Sequence, residues 1–265
     1  MTTTLGVVFR PQSPPERLRE VIHSAETAGV AELWLWEDCF LEGGLTAASA
    51  ALAWSERLHV GIGLLPVPLR NPAVAAMEIA TVARLFPGRF LPGLGHGVLD
   101  WMGQVGARVP SPMTLLREHT TAVRDLLHGR TVDVDGRFVH LERVALDWPP
   151  ADVPPVFVGA RGPKTVRLAG EVGDGVLLDS GLTPPQVRAA CEQVAEGRAA
   201  AGRTGEPFRT VVYAEFDTKA GDLQGRVDEA VGALSEAGAD TVVLQATGEH
   251  PDPEPLIEAA AQRPR

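Results

Sequence analysis

Four short stretches of this chain carry side chains or bare backbone suited to chemistry. Glu37-Asp38-Cys39 follows a nearly all-apolar run, Ala31 to Trp36, and a carboxylate at a strand end can do acid–base work or hold a polar ligand group. Asp38 equally suits capping its own loop, Glu37 facing solvent and Cys39 packing as a small hydrophobe. Gly61-Ile62-Gly63-Leu64-Leu65-Pro66 puts glycines inside a strand-like run, which marks a bulge, a close backbone approach or tight packing. Gly93-Leu94-Gly95-His96-Gly97 is a loop almost free of side chains, with Asp100 and Trp101 just beyond. His96 there can move a proton near neutral pH, or hydrogen-bond its own loop. Gly159-Ala160-Arg161-Gly162-Pro163-Lys164 sets small residues before a helix start, so amides and the helix dipole can converge on an anion. Arg161 and Lys164 add positive charge, and the ligand this suggests is a phosphate or a polyanionic tail.

These stretches are held by an alternation of strands and helices. Around Arg57 to Gly97 the chain reads strand, helix, strand: Leu58 to Leu64, a helix opened by Asn71-Pro72 and ended by Phe86-Pro87-Gly88, then Arg89 to Leu94. Asn71 is a capping residue and Pro72 suits the first helical turn. The same unit recurs, with strands expected over Leu5–Phe9, Ala31–Trp36, Val156–Val158, Val172–Leu178, Phe208–Phe216 and Thr241–Gln245. Helices are expected from Pro14-Pro15 to Ala28, then over Leu45–Trp54, Met113–Leu127, Lys164–Ala169, Pro184–Ala201, Leu223–Ala237 and Pro253–Ala261. Asp135-Gly136 reads as the tight turn of a surface hairpin. Eight strand–helix pairs in 265 residues predict one (β/α)₈ TIM barrel domain over residues 1–265, a fold of roughly 250 residues. An open doubly wound sheet is the structural rival.

Bulk properties narrow the class. A formal net charge of −10 argues against nucleic acid or a membrane surface as partner, since both favour basic faces. No apolar run is long enough to span a bilayer, and MTTTLGVVF lacks the charged and apolar regions of a secretory signal. Cys39 and Cys191 are too few for a disulfide framework. The expectation is a soluble cytoplasmic protein acting on a small molecule.

The order and spacing of these segments resemble the luciferase-like superfamily of flavin- and deazaflavin-dependent oxidoreductases, over nearly the whole chain. The stretches carrying it are Ala31 to Asp38, Glu56 to Gly63, Arg70 to Ala73, Phe86 to Phe90, Gly93 to Gly97, Pro155 to Pro163 and Gly173 to Gly175. The compact length and the Gly-Ala-Arg-Gly-Pro loop look most like the branch using coenzyme F420. That resemblance implies a TIM barrel with a non-prolyl cis peptide at Gly63–Leu64 backing the deazaflavin ring, and Asp38 as the carboxylate beside it. It implies that the loop near Gly95 and Gly97, with Gly159, Ala160, Arg161 and Gly162, holds the tail phosphate through backbone N–H groups. Leu178, Asp179 and Ser180 would line the ribityl side. Asp38 and His96 would be the polar groups nearest the chemistry, with Trp36 and Trp101 as walls. Several relatives carry histidine where this chain has Cys39, and Val98 and Leu99 stand where some dehydrogenases have an acid, so the proton donor is open. The implied activity is hydride transfer between F420 and a small organic substrate. The alternatives are an FMN-dependent monooxygenase and a non-catalytic flavin-binding barrel. Dimers are common in the superfamily, and the alanine-rich helices offer surfaces for one.

Overall fold

The computed structural model describes residues 3–263. In chain order the strands are β1 (Thr4–Phe9), β2 (Glu32–Leu35), β3 (His59–Pro66) and β4 (Phe90–Gly95). A separate hairpin follows, β5 (Val132–Asp135) with β6 (His140–Val144), and then β7 (Phe157–Ala160), β8 (Gly175–Leu178), β9 (Arg209–Phe216) and β10 (Thr241–Ala246). All but the hairpin strands pair in parallel, and β1 meets β10, so the sheet closes into the expected eight-stranded barrel rather than an open sheet. Every residue of β2 and of β10 is buried. Helices outside and side chains inside cover both faces, which is why these strands read as unbroken apolar runs.

Period-two alternation splits each strand between two cores. Val8, Trp34, Leu91, Phe157, Leu177, Val211, Tyr213 and Val243 fill the barrel interior, while residues such as Val7, Leu33 and Leu35 face the helices. Trp34 is wholly buried and meets Phe157 and Tyr213 edge to face, with centroids 5.8 and 6.1 Å apart. Gly61 makes that possible, because a Cβ there would lie 2.3 Å from the indole. Toward the N-terminal ends of the strands, Trp34 Nε1 donates to Glu32 at 2.9 Å, and Glu32 is paired with Arg209, which also donates to Thr241.

The helices are α1 (Leu18–Ala28), α2 (Gly44–Ala53), α3 (Pro72–Leu85), α4 (Leu99–Gln104), α5 (Pro112–Leu127), α6 (Pro163–Val172), α7 (Pro184–Ala200), α8 (Leu223–Glu236) and α9 (Glu254–Ala261). Asn71 caps α3 as expected, its side chain accepting from the Ala73 amide at 2.9 Å. The six-residue α4 was not foreseen. It buries only Met102, too little to give a periodic pattern.

The hairpin forms, but not around a two-residue Asp-Gly turn. Asp135 pairs with His140, leaving a four-residue loop in which the Gly136 amide donates to the Val139 carbonyl. Glu118 of α5 accepts from the amides of Arg137, Phe138 and Val139 at 2.9 to 3.0 Å. Three amides gathered on one carboxylate outcompete the local turn.

Between Ile62 and Leu65 the β3–β4 register shifts. The Gly63–Leu64 peptide within this bulge is cis, as the resemblance implied; a second cis peptide, Cys39–Phe40, follows β2 and was not anticipated.

Candidate active site

A cavity of about 810 Å³ opens where the barrel strands end, the end at which such barrels place their chemistry. The β3 bulge contributes one wall. Leu64 reaches across from β3 to β4 and β7, and a Cβ on either Gly95 or Gly159 would lie 2.3 Å from its Cδ2. This corrects part of the sequence expectation. Gly95 is buried beneath Leu64 and lies outside the cavity lining, so its smallness serves that packing rather than an open amide for a phosphate. Gly159 does line the cavity. Gly97 also lines it and holds φ at +69°, with Pro66 2.9 Å from where a Cβ would stand, so the turn there requires glycine.

The neighbouring rim is the start of α6. Ala160, Arg161 and Gly162 line the cavity, with no atom within 4 Å of a Cβ built on Gly162. Gly162 is the N-cap and Pro163 begins the helix, so the helix N-terminus opens onto this rim. Arg161 is largely exposed, and its Nε pairs with Asp179 at 2.6 Å. Asp179 in turn accepts from the Ser180 amide at 2.9 Å. Both Asp179 and Ser180 line the cavity, whereas Leu178 does not. Leu177 takes that place, because alternate residues of β8 face inward and Leu178 faces the helices.

Asp38, Glu37 and Trp36 all reach the cavity from the end of β2. Glu37 is engaged elsewhere. It accepts from the Gly44 amide and from Arg70 Nη2, both at 2.8 Å, and so joins the start of α2 to the connection between β3 and α3. Asp38 is half-buried, and burial raises its pKa against the opposing pull of Arg10 and Arg161. Cys39 does not line the cavity. Burial and the neighbouring Glu37 and Asp38 raise its thiol, which keeps it protonated at neutral pH. His96 lines the cavity with Nε2 3.4 Å from Thr165 Oγ1 and a buried, unpartnered Nδ1. Burial lowers its pKa, with the Pro112 backbone opposing, so the ring is neutral at pH 7. Asp100 and Trp101 stand at the mouth on α4.

Several lining residues were missed from the sequence: Arg10, Thr165, Tyr213, Glu215 and Gln245. Arg10 donates to the Ala246 carbonyl at 2.7 Å and to Glu215 at 3.2 Å, and stacks over Trp36 with its guanidinium carbon 4.8 Å from the ring centroid. A glutamine ending the apolar run Thr241 to Gln245 was the available signal, since inward-facing polar residues at strand ends mark a site. Among the described residues no group of three or more His, Cys, Asp or Glu side chains could hold a metal ion.

A closed parallel barrel with its cavity at the strand ends defines a TIM-barrel protein. Residues 2–222 match the luciferase-like monooxygenase family, and the chain belongs to it. The 5,10-methylenetetrahydromethanopterin reductase of Methanolobus tindarius is 29% identical over 94% of this chain and 76% of its own length. An F420-dependent glucose-6-phosphate dehydrogenase of Mycolicibacterium fortuitum is 33% identical over 76% of this chain and 64% of its own. Among solved structures, the F420-dependent tetrahydromethanopterin reductase of Methanopyrus kandleri superposes with a TM-score of 0.80 at 20% identity, covering 99% of this chain and 98% of that one. An F420-dependent secondary alcohol dehydrogenase gives 0.84 at 18% identity, covering 99% and 100%.

Proposed function

We propose that this protein is an F420-dependent oxidoreductase that transfers hydride between the deazaflavin and a small organic substrate. The observation carrying this reading is the cavity itself: about 810 Å³, walled by the Leu64 bulge and open at the N-terminus of α6. That volume suits a tricyclic ring with its substrate, and the exposed Arg161, Lys164 and helix start suit an anionic tail. The residues present therefore fit the cofactor. Gly159, Ala160, Arg161 and Gly162 would hold its tail phosphate, with Asp179 and Ser180 along the ribityl chain and Gly97 at the facing loop. Gly63 and Leu64 would back the ring. When bound, F420 supplies a hydride donor or acceptor that reacts poorly with oxygen.

The chain's own work is then to exclude water and manage one proton. Asp38, with its raised pKa, can hold a proton on a carboxyl oxygen closer to neutrality than an ordinary aspartate. His96, neutral at pH 7, can accept one at a ring nitrogen. Either suits a reaction in which a substrate oxygen or nitrogen gains or loses a proton as its carbon exchanges hydride. Titration of the purified protein with F420 and with FMN, followed by hydride-transfer assays under anaerobic and aerobic conditions, tests the reading. Tight F420 binding with turnover supports it. FMN binding with substrate-dependent oxygen uptake would replace it with the monooxygenase, and binding without turnover with the non-catalytic barrel.

We further propose that residues 1–265 act as one domain, that the protein works on small molecules in the cytoplasm, and that it forms a homodimer. Free thiols at Cys39 and Cys191 and the acidic charge support the setting. No helix among the described residues is long and apolar enough to cross a membrane. For the dimer, α3 presents Val74, Met77 and Leu85, exposed by 45, 57 and 66%. They lie three and eight residues apart, so they share one helix face. Met77→Glu would put a charge at the centre of this stripe and yield a monomer by sedimentation, with the fold intact by circular dichroism.

A further inference from the structure

Three polar groups on the cavity floor are buried and have no hydrogen-bond partner: Trp36 Nε1, Tyr213 Oη and Gln245 Oε1. All three residues line the cavity, and Tyr213 and Gln245 are only 5 and 3% exposed. An orphaned buried polar group costs stability unless something satisfies it, and three at one floor mark a recognition surface. Their chemistry is fixed by what surrounds them. Gln245 donates from Nε2 to Glu215 at 2.9 Å and to Ser180 at 3.2 Å, which leaves Oε1 as a free acceptor. Trp36 can only donate. Its ring is held between Arg10, 4.8 Å above, and Tyr213, with ring centroids 5.9 Å apart. Tyr213 can donate or accept. Burial raises its pKa, with the contact to Trp36 opposing, so the hydroxyl stays neutral; that contact is too poorly aligned to count as a hydrogen bond for either atom.

The floor is also electrostatically selective. Its nearest cation, Arg10, is spent on the Ala246 carbonyl and Glu215, and Glu215 adds a negative charge. An anionic group gains nothing here. A neutral group that alternates carbonyl, N–H and carbonyl along one edge would satisfy all three atoms. The pyrimidine edge of a flavin or deazaflavin ring has that pattern. Position favours it over a substrate group, since Tyr213 Oη lies 2.1 Å from where a Cβ on Gly63 would stand, beside the peptide assigned above as the backing of the ring.

We propose that Trp36, Tyr213 and Gln245 read the carbonyl–imide edge of the ring, with Gln245 Oε1 accepting from the ring N3–H and Trp36 and Tyr213 donating to its carbonyls. This rests on the cavity being a flavin-type site, though not on which flavin it takes. The α6 rim then grips the tail while the floor registers the ring.

The test uses two phosphate-free probes, riboflavin and the ring-plus-ribityl fragment of F420, each with and without a methyl group on N3. Their affinities are measured by fluorescence titration, with no turnover involved. N3-methylation is expected to weaken binding to the wild-type protein by at least fivefold to tenfold, about the worth of one lost hydrogen bond. Gln245→Leu should weaken the unmethylated probe comparably and shrink the methylation penalty, and Tyr213→Phe should weaken both forms. Binding without any methylation penalty overturns the floor assignment alone. Riboflavin binding with the penalty, where the F420 fragment fails to bind, keeps the floor assignment and removes the F420 reading. Failure of both unmethylated probes to bind overturns both. The methylated probes need no variant, so a substitution that fails to fold leaves the test intact.

Discussion

Asp38 and His96 have pKa values moved toward each other, one up and one down, and chiefly by the same cause, burial at the cavity wall. Of the two, Asp38 has the clearer part. It faces two cations, Arg10 and Arg161, that keep its raised pKa from rising further. Asp38→Asn removes the titrating group while keeping shape and hydrogen-bonding capacity. It is expected to lower kcat/KM by about a hundredfold to ten-thousandfold and to abolish the limb on which activity falls as pH rises through the Asp38 pKa. F420 affinity should stay within a few-fold, as read by fluorescence titration. Cys39 keeps a protonated thiol outside the cavity lining, so it supplies no base.

At the level of elements, Glu118 shows how a distant side chain can decide a local shape. Burial alone would raise its pKa, but the amides of Arg137, Phe138 and Val139 outweigh that and hold the carboxyl below its usual value. A depressed carboxylate pKa means that this contribution is complete above the unfolded value, about 4.3, and is lost as pH falls through the folded one. Glu118→Gln is expected to cost about 1 to 2 kcal/mol at neutral pH, read from the denaturant midpoint, and to raise hydrogen exchange at the tip between β5 and β6. The same residue explains a misreading. Asp135-Gly136 has the local chemistry of a tight turn, and nothing near it in sequence announces the carboxylate on α5. The barrel strands were legible because both faces are apolar, and α3 because Asn71-Pro72 starts it. The rims were legible as glycine loops. Which glycine stays open was not, since that depends on Leu64 crossing from β3 to cover Gly95 while Gly159 still lines the cavity. The floor was hidden for a related reason: Tyr213 looks like an ordinary strand residue, and the polar Gln245 points to a site only once closure of the barrel brings both beside Trp36.

For the whole molecule, the most consequential titrating group is His119. It is 1% exposed on α5, with Nε2 3.2 Å from the Arg70 carbonyl and Nδ1 unpartnered. Burial lowers its pKa to about 4, with the backbone contact to Arg70 opposing. The unfolded chain, with an ordinary value near 6.5, takes up the proton first. Stability is therefore unaffected above about pH 6.5 and falls on acidification from there toward pH 4, by about 3 kcal/mol in all. Urea midpoints measured across that range should show the decline, and His119→Gln should flatten it. The loss would reach the site, because Arg70 also holds Glu37, which is bonded to the start of α2.

Glu32, Arg209 and Thr241 join side chains across one end of the barrel beneath the Trp34 layer, and the cavity opens at the other end. On the proposed function, reactant, product and redox carrier share the mouth between α4 and the start of α6. Whichever guest settles deepest has to arrive first and depart last. If the proposed function holds, turnover in such a vessel would follow a queue: the carrier would stay seated while small molecules come and go above it, and exchange of the carrier would wait until the space over it had cleared.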